Sequence, residues 1–276
     1  MRVLLYIISF GVIVGAAVFG YITLTSKSQL HTADLQNRNS GVVILMLFVT
    51  SLIITYVFRR RVDRKSFLSL GLSIRGRGRE AIAGGALAIF IVCVSTVLLK
   101  VTGHLRWMDF LFDPKALFIA FGSVLLAAFY EELVFRGYIL SNLMDSFPKW
   151  LALAISALLF MIFHWTATGF FPLVNQLILG FILGLNVIYT RNLWFSICFH
   201  VGWKFFEGPV LGFSANESFQ TLLQTELIGD ENITGGGSGL EGSVILMAIS
   251  LLSLLALYLI YQRKLNQQYP PAPGRI

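Results

Sequence analysis

The sequence predicts an all-α fold, a polytopic transmembrane helical bundle of about eight spans. Three observations carry the prediction. Hydrophobic residues make up 56% of the 276 positions and charged residues only 13%, about half of the roughly 25% charge of a water-soluble domain. The apolar residues fall in stretches at about 3–25, 41–58, 81–101, 116–140, 150–166, 171–190, 193–213 and 243–261, each close to the ~20 residues that a helix needs to cross a bilayer. The net charge of +7 sits in loops beside these stretches, where such charges set topology and touch anionic lipid. A nucleic-acid partner is not expected.

The first stretch follows Met1-Arg2 and has no small-residue cleavage site, so it reads as a retained span and not a signal peptide. After the second come Arg59, Arg60, Arg61, Arg64 and Lys65, then Arg75, Arg77 and Arg79, a cluster that belongs on the cytoplasmic side. Alternate counting then puts both termini in the cytoplasm, in agreement with Arg263 and Lys264 after the last span. The same count puts residues 215–242 outside, with Glu217, Glu226, Asp230, Glu231 and Glu241 and no Lys or Arg. The connector Ser66–Arg79 mixes apolar and basic residues and is expected to lie along the cytoplasmic interface, partly helical. The run Gly235-Gly236-Gly237-Ser238-Gly239 reads as a flexible external linker, and 270–274 as an extended tail. Residues 1–80 thus form a transmembrane pair with a basic connector, 81–214 a helical core, 215–242 an acidic extracytoplasmic loop, and 243–276 a last span with its tail. Cys93 and Cys198 lie inside apolar stretches, which suits neither a disulfide framework nor a cysteine metal site. No internal repeat of the kind that builds transporters is visible.

Ionisable residues inside spans are costly and point to function. The fourth stretch holds Glu131, Glu132 and Arg136. Glu132 and Arg136 are four apart, share a helical face and can pair, whereas Glu131 is turned about 100° away and stays free for chemistry. His164 closes the fifth stretch, with Phe160 one turn before it on the same face. His200 lies in the seventh, with Lys204 one turn on and Glu207 three beyond. Counting 1.5 Å per residue, Glu131 and His164 both lie roughly 20 Å from the cytoplasmic helix ends, whereas His200 comes out at only ~11 Å and Lys204 at ~17 Å. A carboxylate beside a histidine in a dry cavity suits general-base activation of water, and a second donor, His200 or Lys204, suits an oxyanion. For Lys204 a pair with Glu207, away from the cavity, is an equal expectation.

These residues resemble the CPBP (CAAX protease and bacteriocin-processing, formerly ABI) family of intramembrane proteases. Its EExxxR motif is matched by Glu131-Glu132-Leu133-Val134-Phe135-Arg136 and its FxxxH motif by Phe160–His164, while its HxxxN/D motif begins at His200. The resemblance covers about residues 115–214. It implies an intramembrane endopeptidase acting on a membrane-associated peptide or protein, in which Glu131 and His164 activate water and His200 helps to hold the oxyanion. It also implies supporting roles for Glu132, Arg136 and Phe160. Where the family has Asn or Asp, this sequence has Lys204. The alternative is therefore a catalytically lapsed member acting in binding, immunity or scaffolding. With two histidines and two glutamates zinc is possible, but no HExxH helix is present, and the expectation is no cofactor.

Overall fold

A computed structural model describes residues 1–26, 41–165, 169–213 and 221–268. Each predicted apolar stretch forms a helix. They are α1 Arg2–Ser26, α2 Gly41–Val57, α3 Gly78–Val101 and α4 Pro114–Glu132, then α5 Lys149–Phe163, α6 Phe170–Thr190, α7 Trp194–Phe205 and α8 Val244–Gln268. By length and composition, α1, α2, α3, α4, α6 and α8 provide six helices able to cross a membrane. The other two are shorter, 15 residues in α5 and 12 in α7. His164 caps α5, and His200, Lys204 and Glu207 break the apolar run around α7. The stretch expected at 150–166 ends outside the described residues, as does the tail at 270–274.

Three helices run on into π-helical turns, at Phe58–Val62, Leu133–Leu140 and Phe206–Val210. Such widened turns gather at functional sites and re-aim the side chains around them. The second carries α4 onward to Met144 and begins at the residue after Glu132. At its other end α4 starts on a local signal, Asp113-Pro114. The Asp113 carboxylate accepts the N–H groups of Lys115 at 2.9 Å and Ala116 at 3.1 Å, and proline at the first helical position gives up a donor that would be unpaired anyway.

The most extensive helix packing is between α3 and α7, through a seam of small residues. A Cβ placed on Gly84 would lie 2.2 Å from the Phe195 carbonyl oxygen, and one on Gly202 would lie 3.2 Å from that of Gly85. Without the hydrophobic effect to drive helices together in lipid, this close backbone approach supplies the dispersion contact.

The structure corrects some of these expectations and adds detail to others. Residues 105–110 and 223–227 form a two-stranded antiparallel sheet, β1 Leu105–Phe110 with β2 Leu223–Leu227, offset by a bulge between Trp107 and Asp109. The Gly-rich run is no linker. Gly235 and Gly239 sit at φ 93° and 64°, and a Cβ on them would meet the carbonyls of Gly239 at 1.7 Å and Phe213 at 2.3 Å. Only glycine fits a turn wound this tightly, and the turn buries Leu240 completely. Within the basic run, Arg59 is 3% exposed and binds Ser69 Oγ at 2.8 Å and Asp63 Oδ2 at 3.3 Å, so it holds structure as well as charge. The connector is a single 3₁₀ turn, Phe67–Leu70, followed by a strap beneath the α6–α7 turn. Leu193 N–H donates to Gly71 O at 3.0 Å, Asn192 Nδ2 to Ser73 O at 3.0 Å and Trp194 Nε1 to Leu72 O at 3.3 Å. Cys93 and Cys198 are both free.

Candidate active site

The site is assembled from four helices. Glu131 and Glu132 come from the last α-helical turn of α4, Arg136 from its π-helical continuation, His164 from the cap of α5, and His200 from the middle of α7. Helix α6 contributes a backbone carbonyl at Gly180. Glu131 Oε2 lies 3.2 Å from His164 Nε2 and 3.5 Å from His200 Nε2. These are contact distances without aligned N–H groups, because Glu131 Oε2 and His200 Nε2 have no hydrogen-bond partner among the described residues. Three polar atoms therefore converge on one point without satisfying one another.

Glu132 carries the scaffold. Its Oε1 receives Arg136 Nη1 at 3.0 Å and faces His200 Nδ1 at 2.9 Å. The side chains of Glu132, Arg136 and His200 are all fully buried. Arg136 Nη2 also donates to Gly180 O at 3.3 Å, and its guanidinium lies 4.1 Å over the Phe160 ring. Phe160 in turn packs on His164 with ring centroids 4.3 Å apart, and its carbonyl faces His164 Nδ1 at 3.0 Å. Each histidine thus turns Nδ1 to an oxygen and Nε2 to Glu131, the arrangement by which an outer partner fixes a ring's orientation.

Six of the seven predicted residues lie in this cluster. His200 reaches it despite the shallower depth counted along its helix. The α6–α7 turn is covered by the strap at 71–73, and Leu193 and Asn192 are buried. Lys204 is different. It lies within electrostatic reach of Glu131, Glu241 and Glu207 but makes no ion pair or hydrogen bond with a described residue. The expected Lys204–Glu207 pair is not formed. Glu207 Oε1 instead accepts the N–H of Glu241 at 3.2 Å.

Sequence reasoning missed Glu241. The tight glycine turn brings its carboxylate to Gln176 Nε2 at 2.7 Å and to Trp203 Nε1 at 3.4 Å, while Asn175 Nδ2 holds its carbonyl at 2.6 Å. The available signal was the Asn175-Gln176 pair inside an apolar stretch, since polar residues at that depth seek partners. Although Glu131, His164 and His200 converge, no three His, Cys, Asp or Glu side chains among the described residues are arranged to hold a metal ion.

Residues 113–206 match the family model described as type II CAAX prenyl endopeptidase Rce1-like. This central third is thus similar to the CAAX-protease core. The match begins at the Asp113 cap and contains all seven predicted residues, but it stops one residue before Glu207. The other carboxylates within electrostatic reach of Lys204, Glu207 and Glu241, thus lie outside the matched segment. No curated protein matches the chain. With six helices long and apolar enough to span, the match indicates a membrane protein and supports a CAAX-type intramembrane endopeptidase at family level.

Proposed function

We propose that the chain is a metal-free intramembrane endopeptidase that hydrolyses a peptide bond of a membrane-associated peptide or protein. The observation that carries this reading is that His164 Nε2 and His200 Nε2 lie 3.2 and 3.5 Å from the same oxygen, Glu131 Oε2. A water molecule at that point is deprotonated by the Glu131 carboxylate and oriented by His164, and the hydroxide attacks the scissile carbonyl. The oxyanion is then met by His200 and by the Lys204 ammonium. With Nδ1 donating to Glu132, His200 donates from Nε2 only as the imidazolium, and Glu132 fixes the ring's position. The proton taken by Glu131 passes to the leaving amine as the tetrahedral intermediate collapses. Both termini lie on the cytoplasmic side, residues 81–214 form the catalytic core, and substrate arrives from the bilayer.

One observation favours a second reading. Lys204 stands where the family has Asn or Asp, and its charge lies within reach of the proposed base. A lysine that neutralises Glu131 turns the site into a binding or scaffolding pocket. The deciding experiment is cleavage of a peptide library by the purified protein in detergent, comparing wild type, Glu131→Gln and Lys204→Asn, with and without chelator. The protease reading expects wild-type cleavage lost in Glu131→Gln and insensitive to chelator. Cleavage that survives Glu131→Gln ends that reading, and silence from wild type with cleavage by Lys204→Asn establishes the lapsed form.

A further inference from the structure

A second polar site lies at the opposite end of the α4 continuation. The ends of α2, α4 and α6 and the 3₁₀ turn of the connector surround a cleft of about 340 Å³ lined by Arg59, Lys65, Ser69, Ser141, Asp145 and Arg191. Three cations and two hydroxyls thus face one carboxylate. Arg59 is fixed by Ser69 and Asp63, and Lys65 reaches across to Asp145 at 2.6 Å. Arg191 is exposed, and its guanidinium has no ion pair or hydrogen bond with a described residue. It is held at the rim by its left-handed backbone, φ 54°, which caps α6.

An independent feature fixes the depth of this cleft. Tyr189, two residues before Arg191, and Trp150, five after Asp145, form a ring cluster with Tyr258 and Tyr261, with Lys149 Nζ 4.7 Å over Tyr189. Amphipathic aromatics with flanking lysines occupy the level of lipid headgroups, and basic pockets between helix ends at that level take anionic headgroups. We propose that this cleft binds a phosphate-bearing anion, with an anionic phospholipid headgroup as its source in the membrane. Arg191 is the clamp at the rim, and Arg59 and Lys65 form the wall. The site is remote from the cluster around Glu131 and does not depend on proteolysis.

The test is thermal unfolding of the full chain in detergent, titrated with palmitoyl-oleoyl-phosphatidylglycerol, with the phosphatidylcholine of the same acyl chains, or with inorganic phosphate. Variants are Arg191→Asn, which keeps a residue tolerant of the left-handed cap, and Lys65→Gln. The expected result is saturable protection by phosphatidylglycerol and none by phosphatidylcholine, with apparent affinity about five-fold weaker in each variant. Protection by inorganic phosphate that is also weakened in the variants supports the same site and names a free anion as ligand. Equal protection by both lipids, or protection unchanged in both variants, overturns the proposal.

Discussion

Replacing Arg136 by Met tests how the site is held together. Methionine keeps an unbranched stem of similar reach but removes the charge and all donors. The structure says what is lost: the 3.0 Å bond to Glu132, the 3.3 Å bond to Gly180 O and the cation stacked 4.1 Å over Phe160. Glu132 is fully buried and its Oε2 already lacks a partner among the described residues, so the variant strands a carboxylate with only His200 to face. Breaking a buried pair by removing one partner costs about 3–5 kcal/mol, which corresponds to a fall in unfolding temperature of roughly 10 °C for a chain of this size. Neutralising the stranded acid as well, in Glu132→Gln/Arg136→Met, relieves most of that cost, because the amide oxygen still accepts from His200 Nδ1. Thermal unfolding of the purified protein, followed by tryptophan fluorescence, reads both variants and Glu132→Gln. An Arg136→Met protein that unfolds within about 2 °C of wild type, or a double variant that loses the sum of the single losses, would mean that Glu132 and Arg136 are not coupled in this way.

Three further outcomes follow from the packing. Gly84→Ala places a methyl 2.2 Å from the Phe195 carbonyl, forcing α3 and α7 apart by roughly 1 Å; unfolding temperature and peptide cleavage should both fall, whereas Gly122→Ala, which meets nothing within 4 Å, should leave both unchanged. Glu241→Ala removes the acceptor of Gln176 and Trp203 and should cost about 1–3 kcal/mol by leaving buried donors unpaired, measured by thermal unfolding; combined with Lys204→Met, the losses should be less than additive. Glu131→Gln keeps its shape but removes the acceptor charge, so cleavage should drop by at least ~10²-fold while the unfolding temperature holds or rises, as measured on the same preparation.

How much was legible beforehand differs by element. The eight apolar helices were, because an apolar run near 20 residues has few other ways to satisfy its backbone in lipid. Most of the candidate cluster was too, because Glu131, Glu132, Arg136, His164 and His200 are ionisable groups where such groups are expensive, so each stands out from its neighbours. The 3.2 Å contact of Glu131 with His164 agrees with the depths counted along two antiparallel helices. Glu241 was not legible. It lies in a segment whose glycines read equally as a flexible linker and as a tight turn, and only the Gly235–Gly239 contact separates the two. The β1–β2 pairing was likewise hidden, since its register joins residues more than a hundred positions apart and neither strand is distinctive alone.

The sequence by itself thus determined the solvent of this protein, its helical class and the identity of the groups at membrane depth, because hydropathy, charge cost and helical spacing are properties of short segments. Tertiary structure alone decided which atoms converge: the approach of His200 to Glu131, the shared use of Glu132 by Arg136 and His200, and the placing of Lys204 within electrostatic reach of three carboxylates without a bond to any described residue. Those are relations between segments, fixed by close helix packing and by buried donors and acceptors finding partners far away along the chain.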